Sequence, residues 1–195
     1  MSSADEKNVI RKKMKKLRYE IPINYYRIWS DSIMKKCINL EEWFYAQTVH
    51  IYVSALNNEV DTLGLIYKMF DDRRKKVVVP KCNTELHTII NIHIESFDEL
   101  SPTKFNLMEP DYITEKESNP EKLNLIIAPL LAFDRLGGRL GFGKGYYDNL
   151  FNKCKCPKVG LGYSFQEVDK VPMEPQDEKL DIIITENETI RVKHE

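Results

Sequence analysis

The sequence predicts a single three-layer α/β/α domain with a mostly parallel, mixed-edge sheet and a basic N-terminal helix. Three observations predict it. From residue 48 onward, short β-rich runs alternate with helical stretches, the pattern of a parallel sheet with helices on both faces. The run from Leu123 to Phe133 is almost continuously apolar, as a central strand covered on both faces is. Five of the chain's 8 glycines fall between Gly137 and Gly145, between that run and a helical segment. The expected arrangement is an open, Rossmann-like sheet that binds ligand beyond the carboxyl ends of its strands.

The elements follow in order. Ile10, Met14, Leu17 and Ile21 recur at i, i+4, i+7 and i+11, which makes one apolar stripe on a first helix. Pro22 opens a second helix through Ile28, Ile33 and Cys37 toward Leu40. Val49 to Ala55 reads as a strand. Asp61-Thr62 then caps a helix whose apolar positions are Leu63, Ile66, Tyr67 and Phe70. Val77-Val78-Val79 reads as a buried strand ended by Pro80, and Thr88 to Ile94 as an alternating one. Ser101 to Pro120 is polar and proline-bearing and reads as a long loop. Tyr146 to Phe151 reads as a helix. Lys158 to Tyr163, Leu180 to Thr185 and Ile190-Arg191-Val192 read as strands, the last at an edge.

Composition bounds the function. A chain of 195 residues matches the usual prior of roughly 100–200 residues per domain, so residues 1–195 are expected to form one. Lys and Arg number 29 against 30 Asp and Glu, which gives no general reason to expect nucleic acid or a membrane. No run of 18 apolar residues and no apolar leader is present, so a cytoplasmic protein is expected. A monomer is the expected state. Cys37, Cys82, Cys154 and Cys156 read as reduced thiols, and Cys154-Lys155-Cys156 lacks the second pair that a zinc site needs.

The chemistry concentrates in three places. Gly137 to Gly145 turns tightly between a strand and a helix, and Arg139 and Lys144 add positive charge, so a phosphate cradle is the natural inference. Gly138 and Gly143-Lys144 satisfy G-x-x-x-x-G-K, but Gly145 replaces the Ser or Thr that would hold magnesium. A metal ligand must therefore come from elsewhere, and Asp148 is placed to serve. Glu59, just before Asp61-Thr62, is free to face the cleft. Asp177 ends a proline-bracketed loop, Val171 to Asp177, of the kind that holds single polar side chains in place. On the first helix, Lys7, Arg11 and Arg18 lie side by side on the border of the apolar stripe, where stems pack and heads reach a cleft. Lys12 and Lys16 read as a solvated face.

Taken together, these motifs resemble one family. The basic helix with Lys7 and Arg11 comes first, then Glu59-Val60-Asp61-Thr62. Ala128-Pro129 with Ala132-Phe133-Asp134 follows, and then Gly138-Arg139-Leu140-Gly141-Phe142-Gly143-Lys144-Gly145-Tyr146-Tyr147-Asp148. Pro172 through Asp177 comes last. The order and the long glycine motif are similar to 5-formyltetrahydrofolate cyclo-ligases, also called methenyltetrahydrofolate synthetases. The resemblance implies ATP and 5-formyltetrahydrofolate, with or without a polyglutamate tail, as substrates, with Mg2+ as cofactor. It implies ATP contacts from Lys7, Arg11, Arg139, Leu140, Gly141, Phe142, Gly143, Lys144, Gly145, Tyr146 and Tyr147. Arg139 and Lys144 would neutralise the transferring group. Asp148 and Asp177 would ligate the metal. Val53, Glu59, Phe105, Tyr146 and Tyr147 would form the folate side, with Pro110 beside it. Phe142 stands where many members carry a small or basic residue.

Overall fold

The computed structural model describes residues 2–55, 58–103 and 107–193. Helix α1 (Ser3–Tyr19) starts where Ser2 accepts from the Asp5 amide and Asp5 accepts from the Ser2 amide, a reciprocal cap that satisfies two orphan donors. Pro22 caps α2 (Ile23–Ile38), and α3 (Glu41–Tyr45) leads into β1 (Thr48–Ile51). Then come α4 (Leu63–Asp71), β2 (Lys76–Asn83), β3 (Thr88–Ile94), β4 (Leu100–Pro102) and β5 (Met108–Pro110). The second half holds β6 (Leu125–Pro129), β7 (Ala132–Phe133), β8 (Arg139–Leu140), α5 (Tyr146–Phe151), β9 (Lys158–Leu161), β10 (Ile182–Ile184) and β11 (Thr189–Arg191).

Seven strands form one sheet in the order β11-β10-β9-β6-β1-β2-β3. The five central strands run parallel, and β3 and β11 lie antiparallel at the two edges. This is the mixed-edge parallel sheet that the sequence predicts. One face carries Val49, Ile51, Val77, Leu125, Ile127 and Val159 against Ile33, Cys37, Trp43, Leu65 and Ile66. The other carries Val78, Ile126, Ala128 and Ile183 against Leu150 and Phe151 of α5. Both faces are covered, which is why the central strands have no polar alternation. A third cluster seats α1: Met14 is buried against Leu131, Ala132, Leu140 and Val171. Burying a methionine side chain fully stabilises by about 1.5–3 kcal/mol. The first helix is thereby held over the end of the sheet.

Several boundaries differ from the expected ones, each for a physical reason. The strand at Val49 stops at Ile51, because the segment that follows is pinned by side chains: Tyr52 donates to Val60 O and Thr62 Oγ1 to Tyr52 O. The strand at Val77 does not end at Pro80. Pro80 pairs with Asn91 of β3, while β1 pairs no further than Val78, so the missing N–H is not needed on that side. The apolar run from Leu123 to Phe133 is two strands, for β6 ends at Pro129 and β7 turns away to pair with β8. The 101–120 segment is not all loop, since β4 pairs with β5. On α4, Tyr67 and Leu63 point to solvent rather than into the core, and Asp61, not Thr62, accepts the hydrogen bond from the Leu63 amide. At the outer edge of β3, Ile92 bridges Glu117 and Asn91 O accepts from the Ser118 amide.

Candidate functional site

The chain leaves β1 toward β2 on one side and later returns to place β6 on the other side of β1. That reversal opens a crevice beyond the carboxyl ends of β1 and β6, where open α/β sheets bind their ligands. The β7–β8 hairpin follows β6 there, and its second strand feeds the glycine loop.

Asp134 anchors that hairpin. Its Oδ1 accepts from the Leu136 and Gly138 amides and its Oδ2 from the Val171 amide, at 2.8–2.9 Å. It therefore ties the glycine loop to the proline-bracketed loop. A Cβ at Gly138 would overlap the Asp134 carboxylate, so only glycine fits. Gly143 and Gly145 have φ of +99° and +71°, a region that favours glycine. Arg11 of α1 packs directly on this backbone. Its Nε donates to Gly141 O at 2.9 Å, and a Cβ at Gly143 would sit 3.0 Å from its Cζ. Burial lowers the Arg11 pKa, and Asp177 and Glu174 act against that shift.

Arg139 is a buried cation of the site, as Lys7 is. Its Nη2 lies 3.2 Å from both carboxylate oxygens of Asp148, and Nη1 donates to Pro129 O at 3.2 Å. Its guanidinium carbon lies 5.5 Å from the Tyr147 ring centroid and 5.2 Å from that of Phe151, so two aromatic rings flank it. Its Nε is buried with no hydrogen-bond partner among the described residues. An unmet buried donor costs about 1–3 kcal/mol, which a bound oxygen acceptor would relieve. Lys144 is exposed and makes no ion pair among the described residues.

On the far side, Lys7 Nζ lies 2.8 Å from Asp177 Oδ2 and 3.3 Å from Glu174 Oε1. The Glu174 amide also donates to Asp177 Oδ2, whereas Oδ1 accepts no hydrogen bond among the described residues. The two expected metal-ligating aspartates thus each face a cation, Asp148 facing Arg139 and Asp177 facing Lys7. Among the described residues, no three His, Cys, Asp or Glu side chains gather into a metal cage.

The folate-side residues are placed differently from one another. Glu59 does not face an open cleft unpaired: it is buried, 3.8 Å from Arg18 Nη2, and Arg18 is 1% exposed. Burial lowers the Arg18 pKa and Glu59 opposes that shift. Arg18 and Lys15 lie over the Phe142 ring, at 6.0 and 5.3 Å, so α1 touches the loop at its tip as well as at Gly141. Val53 is buried in the main core. Leu140 is buried too, and its carbonyl accepts from the Leu131 amide. Tyr146 is half-buried with its ring against His87, and Pro110 ends β5. Phe105 lies outside the described residues. Lys7, Arg11, Arg139, the 141–145 loop, Asp148 and Asp177 are brought together around the β8–α5 connection.

Sequence reasoning assigned no role to Asp134, Glu174 or His50. Asp134 stood inside a quoted motif, and only its three amide contacts show what it does. His50 is a lone polar residue within an apolar run, and nothing local marks it.

Comparisons with known proteins give the family and the fold. A model of the 5-formyltetrahydrofolate cyclo-ligase family matches residues 3–186. A Schizosaccharomyces pombe protein called a probable 5-formyltetrahydrofolate cyclo-ligase is 33% identical over 177 residues, 83% of this chain and 86% of its own length. The 5-formyltetrahydrofolate cyclo-ligase of Haemophilus influenzae is 28% identical over 93% of this chain and 99% of its own. The solved structure of Aquifex aeolicus 5,10-methenyltetrahydrofolate synthetase superposes with a TM-score of 0.82 at 31% identity, covering 97% of this chain and 94% of that one. The chain belongs to the 5-formyltetrahydrofolate cyclo-ligase family.

Proposed function

We propose that this protein closes 5-formyltetrahydrofolate to 5,10-methenyltetrahydrofolate, using ATP and magnesium and releasing ADP and phosphate. The observation that carries this reading is the placement of Arg11 and Arg139 at a glycine loop by the sheet's switch point, with Lys7 against the neighbouring proline-bracketed loop. Three cations and open backbone fit a polyphosphate, and among the described residues the site shows no nucleophile–base pair that would point to covalent catalysis. Formyl oxygen is a poor leaving group, and phosphorylation makes it a good one. The formyl oxygen attacks the γ-phosphorus and the bond to ADP breaks. The N10 nitrogen then attacks the formyl carbon and loses its proton, and phosphate leaves. Both steps need positioning and charge neutralisation more than a covalent intermediate on the protein.

In this reading Arg11 and Lys7 hold the polyphosphate from α1. Arg139 and Lys144 neutralise charge on the transferring group, and Glu59 binds the pterin. Asp148 and Asp177 would hold magnesium, an ion that takes one or two carboxylates together with phosphate oxygens and water. Asp148 on α5 and Asp177 on the proline-bracketed loop, the latter with an oxygen that accepts no hydrogen bond among the described residues, fit that demand. The bound ion would supply charge neutralisation across the phosphates.

The test is the near-ultraviolet absorbance of the methenyl product in a mixture of protein, 5-formyltetrahydrofolate, magnesium and ATP. An ATP-dependent rise is expected. A flat trace with clean folate binding would instead make this a non-catalytic folate-binding member of the family.

A further inference from the structure

A fully buried histidine stands on β1, the strand at which the sheet order reverses. Its strand neighbours are Val49 and Ile51, and an apolar residue would satisfy packing there. Burying an imidazole costs free energy unless both ring nitrogens find partners. Both do. His50 Nδ1 lies 2.7 Å from Asn91 Oδ1 of β3, and Nε2 lies 3.2 Å from the Tyr147 hydroxyl of α5.

The partners dictate the tautomer. An amide oxygen only accepts, so Nδ1 carries the proton and donates to Asn91. Nε2 is then a bare lone pair, and the Tyr147 hydroxyl must donate to it. Desolvation pushes the His50 pKa down to about 4, so the ring is neutral at neutral pH. The chain of contacts continues outward: the Tyr147 ring faces the Arg139 guanidinium, and Arg139 holds Asp148. Phe151 flanks the same guanidinium, with its ring 5.8 Å from that of Tyr147 and inclined by 64°. Of the two rings, Tyr147 is tethered by a hydrogen bond and Phe151 has no group that could make one. Packing alone would be served by two phenylalanines.

We propose that His50 is a positioning residue for the phosphate site: it tethers the Tyr147 hydroxyl and thereby sets where Arg139 presents its charge. The inference rests on the proposed function, since it assigns Arg139 to the transferring phosphate. His50 touches no substrate. A neutral acceptor is the right chemistry for the role. A cationic imidazole would lose the Tyr147 hydroxyl as donor and add a like charge behind Arg139.

The experiment compares wild type with His50→Leu, His50→Gln, Tyr147→Phe and the double variant His50→Leu/Tyr147→Phe. ATP-dependent formation of the methenyl product is followed, and thermal melts check that each protein folds. His50→Leu and Tyr147→Phe are each expected to lower kcat by about 10–100-fold, the scale set by small misplacements, with the KM for ATP little changed. The double variant is expected to fall no further than the worse single one, because both remove one tether. His50→Gln, which keeps an acceptor and a donor, is expected to retain more activity than His50→Leu. A wild-type kcat in folded His50→Leu, or losses that multiply in the double variant, overturns the proposal. Ring-nitrogen NMR of His50 reads the tether without turnover. A bare Nε2 whose shift moves in Tyr147→Phe is expected, and a protonated Nε2 overturns the proposal. Should wild type form no methenyl product, the proposed function fails while the NMR reading still decides the tether.

Discussion

Lys144 shows how little of a side chain's role lies in the free protein's own contacts. It stands exposed between Gly143 and Gly145 and has no ion pair among the described residues. Removing it should cost the fold almost nothing, within about 0.5 kcal/mol for a surface change of this kind. In the proposed reaction it meets charge that develops only during transfer. Lys144→Ala is therefore expected to lower kcat by about 100–1000-fold with an unchanged melting temperature. Turnover and a melt on the same preparation check both halves. Arg139 is the opposite case: it is buried and flanked by two rings, so its loss would be felt in the fold as well.

Among the elements, α1 joins packing to the site. Met14 seats it in the core, Lys7 and Arg11 reach the loops, and Arg18 pairs with Glu59 in the interior. Breaking a buried pair from one side leaves a desolvated charge and costs about 3–5 kcal/mol. Arg18→Leu is expected to lose that much in a urea titration, and Arg18→Leu/Glu59→Gln to recover part of it. A loss below about 1 kcal/mol would show that Glu59 is held by its other contacts. The elements were legible where local rules governed them. Thr88 to Ile94 alternates and is β3, and α5 begins at Tyr146 as the glycine pattern requires. They were misread where a distant neighbour decided. Pro80 tolerates a strand because β1 has already ended, and the Leu123 to Phe133 run divides because β7 finds β8. Neither fact is present in the residues concerned.

For the whole molecule, the same distinction separates the legible half of the site from the rest. Glycine clustering and basic residues announce the loop, because backbone conformation and charge are local properties. His50, Asn91 and Asp134 are single polar residues in apolar or turn segments, and their roles exist only once the sheet brings them together. His50 also couples stability to pH. Its ordinary pKa is about 6.5 and its folded value about 4, so between these the unfolded chain holds the extra proton. Its contribution is complete above about pH 6.5 and is lost as pH falls toward 4, by about 3 kcal/mol. Denaturant titrations across that range are expected to show the decline, and His50→Gln is expected to flatten it. An equally steep decline in His50→Gln would assign it to other groups.

The two antiparallel edge strands have a consequence for behaviour at high concentration. Sheet edges with free backbone groups recruit strands from other molecules and seed aggregation. Here β11 is three residues long, and its last residue, Arg191, is held by both carboxylate oxygens of Glu42, at 2.6 and 3.1 Å. The longer edge, β3, is interrupted at its middle, where Ile92 meets Glu117 and Asn91 O takes the Ser118 amide. Neither edge leaves a long unoccupied ladder, so the apolar parallel core is shielded from strand exchange between copies.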